Sequence, residues 1–190
     1  MNKVIYFIQF LFVLLGFSFS LNLTLLDYDN PSASHILDAD IVDDLLIVSG
    51  YIGGIEFYDI SDPSLLSHLT THSLSSGGGG GGGGGNNSKP KCVKAHGDFA
   101  YFTSTRGVAI VDISNPSNPQ SIGYIPNTQN MILENLDIDN NILAVAAHED
   151  GVLLYDISNP LSPSILTVVD SDNAWPVALE GDYLYVGDES

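Results

Sequence analysis

Carboxylates are the chemistry this sequence has in quantity. Of its 190 residues, 23 are Asp or Glu against five Lys or Arg, for a formal charge of −18. Acids gathered at loop ends suit a hard cation such as calcium, which takes about six to eight oxygen ligands. "DYDN" (27–30), "DIDNN" (137–141) and "DSDN" (170–173) each look like the start of a calcium loop. None continues into the turn glycine and bidentate glutamate that such a loop requires. His148-Glu149-Asp150 offers a base beside two acids, but neighbouring side chains on a turn diverge, and the plainer reading is an exposed turn. Trp175, next to acids, has the amphipathic ring that stacks on a sugar; the competing reading is packing between structural units.

Other chemistry is weaker. His68 and His72 would share a face of a helix, whereas on a strand they share a sheet face about 13 Å apart. No serine sits in a nucleophile-elbow setting and no HExxH occurs. The run Gly77–Gly85 is followed by no Lys-Ser/Thr and reads as a flexible insertion, not a phosphate loop. Cys92 is the single cysteine, so no intrachain disulfide forms; within an apolar segment it reads as a small buried hydrophobe. The acidic balance repels phosphate backbones and anionic membrane surfaces and would attract cations or a basic partner. The plainer reading is that carboxylates keep an exported surface soluble.

The elements that position these residues follow from composition and repetition. With 44% hydrophobic and only 15% charged residues the chain is a folding one. Residues 1–20 stand apart: Lys3 precedes the apolar run 4–20, which ends small-x-small at Ser18 and Ser20. They read as a signal peptide cleaved after Ser20, with an uncleaved anchor as the alternative, and export follows either way. Asn22 and Asn86 open glycosylation acceptors that matter if the host glycosylates.

One phrase recurs: "YDISDP", "VDISNP" and "YDISNP" align on Asp59, Asp112 and Asp156. The last two aspartates stand 44 positions apart. The first two stand 53 apart, nine of those positions being the polyglycine. A period of about 44 with β patterning predicts propeller blades. Apolar runs at 45–49, 99–104, 142–147 and 183–188 each follow a turn pair of Asp, Gly or Asn. A glycine (Gly54, Gly107 or Gly151) then opens a third strand, and a fourth follows the Asp-Pro or Asn-Pro. The recurring phrase is thus a corner between third and fourth strands. Asp59, Asp112 and Asp156 are expected to bind backbone N–H groups there, and proline to fix the turn.

The pattern of apolar strand, glycine and "hhhhDISNP" resembles the LVIVD-repeat family of bacterial and archaeal surface or secreted proteins. That resemblance implies a β-propeller and says nearly nothing about activity. The expectation is an all-β, partial propeller of four-stranded antiparallel blades with the chain ending mid-blade. In order these are a signal peptide (1–20), a lone outer strand (23–30), blade 1 (31–76), a Gly-rich insertion (77–89), blade 2 (90–130), blade 3 (131–173) and a truncated blade 4 (174–190), so that 21–190 form the incomplete propeller. The lone strand rests on a match between "LTLLDYDN" (23–30) and "LTVVDSDN" (166–173). Loops joining fourth to first and second to third strands share one face. They would gather Asp27, Asp29, His148, Glu149, Asp150 and Trp175 for a ligand, and Asp170, Asp172, Asp188 and Glu189 for calcium. Asp40, Lys94, Asp137 and Ala178, on first strands, are expected to give a mixed polar lining to the central channel. The functional expectation is a secreted or cell-surface, non-catalytic binding scaffold for a protein or carbohydrate, not nucleic acid. The alternatives are a metal-assisted hydrolase or lyase, and a subunit that self-associates through open blade edges.

Overall fold

The computed structural model describes residues 34–52, 54–62, 64–74 and 89–189. Residues 1–20, the strand at 23–30, Asn22, Asp27, Asp29, the polyglycine and Asn86 lie outside them. Among the described residues there is no helix. Among the described residues fourteen strands run in order, and three antiparallel sheets of four each follow chain sequence from one edge to the other. The first holds β1 (Ser34–Val42), β2 (Leu45–Ile52), β3 (Gly54–Asp59) and β4 (Ser67–His72). The second holds β5 (Val93–His96), β6 (Phe99–Ser104), β7 (Gly107–Asp112) and β8 (Gln120–Pro126). The third holds β9 (Leu136–Asp139), β10 (Ile142–Ala146), β11 (Val152–Asp156) and β12 (Ser164–Val169). A two-stranded pair, β13 (Ala174–Glu180) and β14 (Tyr183–Asp188), follows. The sheets are blades of an open, propeller-like arc.

Local sequence explains each blade. Asp43, Gly97, Asn140 and Gly181 lead the four turn pairs, and each takes a left-handed φ between 50° and 58°. Gly, Asn and Asp enter that region at low cost, so the first hairpin of every blade closes tightly. The glycine opening each third strand answers a different constraint. At Gly107 φ is +128°, and a Cβ would sit 1.9 Å from the Ile125 carbonyl oxygen; at Gly54 and Gly151 it would sit 2.5 and 2.3 Å from the carbonyl oxygens of His72 and Val169. The third strand enters the sheet touching the backbone of the fourth, and only glycine fits.

Each fourth strand carries a bulge at the same place. Register slips past Leu69, Ile122 and Leu166, where β4, β8 and β12 hold one residue more than the third strand opposite. A bulge sharpens right-handed twist and reverses which face later side chains point to. This corrects the expectation that His68 and His72 share a face. His68 pairs with Tyr58 and packs edge-on against its ring at 5.2 Å, whereas His72 pairs with Ile55 and bonds Ser121 Oγ of the second blade at 2.8 Å.

Apolar seams join the blades. Ile47, Ile55 and Phe57 of the first pack on Val93, Phe102 and Val111 of the second. Tyr101, Val108 and Ile110 of the second meet Leu136, Leu143 and Val145 of the third. Ala144, Ala146 and Val152 of the third meet Val177, with Leu179, Leu184 and Val186 against them. The strands carry apolar residues consecutively, not in simple alternation, because both faces of a middle blade are covered. Replacing Gly107 by alanine is expected to destabilise the chain by about 1–3 kcal/mol in urea unfolding. Replacing Gly97, whose Cβ would meet nothing within 4 Å, should cost less.

Candidate functional site: the mouth of the inner channel

First strands line the inside of the arc, and their alternate side chains do specific work there. Asp38 Oδ2 accepts the Val93 N–H at 2.9 Å, and Asp40 Oδ2 the Ala95 N–H at 2.7 Å. Asn135 Oδ1, Asp137 Oδ2 and Asp139 Oδ2 accept from Val177, Leu179 and Gly181 at 3.1, 2.7 and 2.6 Å. In each case a side chain on a first strand, or on the residue just before it, holds the backbone of the next first strand or of the residue just after it. The second blade carries Cys92, Lys94 and His96 at the matching positions. There Lys94 Nζ faces Asp137 Oδ1 at 3.3 Å. Burial pulls the Lys94 ammonium down, but the charges of Asp137 and then Asp40 outweigh burial and raise it. The expected mixed polar lining therefore understates Asp40 and Asp137, which tie blades together. The signal was the i, i+2 spacing of acids in "LDADIV" and "NLDIDN".

Cys92 is inert by the same arrangement. Its thiol donates to Asp38 Oδ2 at 2.9 Å, and burial, aided by that carboxylate, pushes its pKa up to about 12. A thiolate at that position would be buried beside a negative charge.

At one end the channel opens into a cleft of about 420 Å3 lined by Leu37, Asp38, Lys91, Cys92, Glu134 and Asn135. Lys91 Nζ donates to Glu134 Oε1 at 2.7 Å, and His148 Nε2 lies 3.3 Å from the same oxygen. That Nε2 is buried and lacks an aligned hydrogen-bond partner, so the contact is one of proximity. His148 Nδ1 meets Asn173 Oδ1 at 3.1 Å, its backbone exchanges hydrogen bonds with Ala174, and its φ is +52°. The Trp175 ring lies 4.6 Å from the imidazole, tilted by 60°. Lys91, Glu134, His148 and Trp175 thus form a continuous line that starts in the cleft and leads out of it. Burial tends to raise the Glu134 carboxyl, but Lys91 and then His148 more than offset it and hold it below its ordinary value.

The remaining expected site residues fall as follows. Glu149, Asp150, Asp170, Asp172, Asp188 and Glu189 are exposed. Asp188 accepts from the Asp172 and Asn173 N–H groups at 3.1 and 2.8 Å and from Ser171 Oγ at 2.9 Å, so its oxygens clamp the 171–173 loop. Among the described residues no three His, Cys, Asp or Glu side chains converge as metal ligands would. Asp59, Asp112 and Asp156 each accept the N–H two residues on, from Ser61, Ser114 and Ser158, at 2.8 to 2.9 Å. Their serine partners hold all three carboxyls below the ordinary range. A cleft of about 540 Å3 at the opposite end is lined by the corners of the first and second blades and by turn residues, among them Asp43, Asp59 and Asp98.

The comparisons match this architecture. The LVIVD repeat profile matches residues 89–125, the whole second blade to Ile125, and residues 172–190, the β13–β14 pair. These two segments carry the LVIVD repeat. Among solved structures its blades resemble the computationally designed Ika4 protein, with a TM-score of 0.61 and 13% identity over 85% of this chain and 89% of that one. They also resemble U3-55K, with a TM-score of 0.57 and 14% identity over 85% of this chain. The RRP9 WD40 repeats match with a TM-score of 0.55 and 13% identity over 90% of it. This chain spans 51% of the length of each of these last two. At such identities the likeness is one of fold, that of a β-propeller. No curated protein matches this chain in sequence.

The sign of the Glu134 shift sets a pH dependence. A carboxyl depressed on folding stabilises the protein fully above its unfolded pKa, about 4.3, and loses that contribution as pH falls through the lower folded value. Wild type should therefore exceed Glu134→Gln in urea midpoint at pH 6, and the gap should shrink towards pH 3.

Proposed function

We propose that this LVIVD-repeat propeller is an exported, non-catalytic binding scaffold that works through loops at one end of its channel. The supporting observation is the Lys91–Glu134–His148–Trp175 line beside the 420 Å3 cleft. A cleft of that size with a few converging polar groups suits a ligand site. Export is supported by the apolar run 4–20 behind Lys3. Asp38, Asp137 and Asp188 each bind backbone amides, which fits a structural use of those three carboxylates.

A second reading has its own observation. On β14, Tyr183 and Tyr185 are 68% and 54% exposed, while Phe99 and Tyr101, at the matching strand positions of β6, pack into the next blade's core. That face favours self-association through open blade edges. Light scattering on residues 21–190, with and without calcium, separates the readings. The scaffold predicts one size that calcium leaves unchanged. Masses far above the monomer favour self-association. Chelator-sensitive size or stability would favour a metal-assisted enzyme and contradict the scaffold.

A further inference from the structure

We propose that Trp175 is the platform of a carbohydrate subsite, stacking on the apolar face of a neutral sugar whose hydroxyls reach Glu134, Asn135 and Lys91. This rests on the scaffold reading above and names its ligand class. Three features set Trp175 apart from a core aromatic. It is 42% exposed. It sits in an irregularity of β13, between the paired positions Ala174 and Val177, where strand register is broken. Bulges of this kind turn a side chain out of the sheet and recur beside binding sites. Gly187 opposite has no side chain, and Pro176 fills the space, since a Cβ there would lie 2.4 Å from the proline ring. The proline fixes the backbone that carries the indole.

The ring is also held from behind. His148 packs against it and is itself held by Asn173 and the Ala174 backbone pairing. A preorganised indole loses little freedom on binding. Its surroundings favour a sugar over a protein segment. A protein anchor would sit in an apolar pocket ringed by further apolar groups. Trp175 instead adjoins His148, which meets Asn173 and Glu134, and through Glu134 a cleft with amide, ammonium and carboxylate groups. That pairing of one flat apolar surface with several hydrogen-bonding groups matches a sugar ring, apolar on its C–H face and polar at its edge.

Trp175 is the only tryptophan, so emission from the full chain reports this site alone. The probes are cellohexaose and chitohexaose, neutral β-linked oligosaccharides, with poly-lysine as a basic polymer that the acidic chain attracts. The expected result is a saturable blue shift with at least one sugar. By calorimetry, affinity should fall at least about tenfold in Trp175→Ala and in His148→Ala, both retaining the wild-type circular dichroism. If a variant fails to fold, Trp175→Phe, which keeps a flat ring, should retain part of the affinity. No shift with either sugar, or equal affinity in wild type and folded Trp175→Ala, overturns the assignment. A response to poly-lysine alone overturns it too but leaves the scaffold standing, whose own failure is read from light scattering.

Discussion

The arc depends on a hydrogen bond between a side chain on one first strand and a backbone amide on the next. Apolar packing brings the blades together, but it is non-directional and leaves their rotation about the axis loosely set. Amides on the channel side of a first strand face no strand partner, because the neighbouring strand bonds the other side. Leaving such a group buried and unpaired costs about 1–3 kcal/mol. Asp38, Asp40, Asn135, Asp137 and Asp139 supply the acceptors, at a spacing of two residues that matches the strand period. Direction and register at the seam of first and second blades, and at that of the third blade with the β13–β14 pair, follow from those five bonds.

The same arrangement changes the meaning of the acidic composition. Part of the carboxylate excess is structural: acids hold blade to blade inside the arc, and Asp59, Asp112 and Asp156 hold the corners at its base. The basic side chains of the described residues gather on the second blade and its approach, as Lys89, Lys91, Lys94 and Arg106. Lys91 and Lys94 both reach to acids of the third blade. Where the first and third blades present carboxylates to backbone, the second presents a cation to a carboxylate. The seam between second and third blades is thus an ionic variant of the other two.

Much of the fold was legible in the sequence because its signals are local. Turn pairs, hairpin glycines and the DISNP corner each act within a few residues, and the period of 44 places them. The bulges at Leu69, Ile122 and Leu166 carry no such mark, so strict alternation put His68 and His72 on one face. The blade ties were visible as spaced acids, but their partners lie 42 to 55 residues away on another strand. Spacing reveals the face of a strand and not what lies across it. At the mouth, Trp175 and His148 drew notice as residue types. Glu134 and Lys91 did not, because their meeting depends on how two blades rotate together.

Native-state amide exchange at Leu179 tests the central claim most directly. Its N–H is bonded to Asp137 Oδ2, while Asp137 Oδ1 faces Lys94. Asp137→Asn keeps an acceptor and removes the charge; Asp137→Leu removes both. If the amide bond fixes the blades, Leu179 stays protected in the asparagine variant and exchanges at least about tenfold faster in the leucine variant. Equal protection in both would mean that apolar packing alone sets the arc. Loss in both would give the role to the Lys94 ion pair.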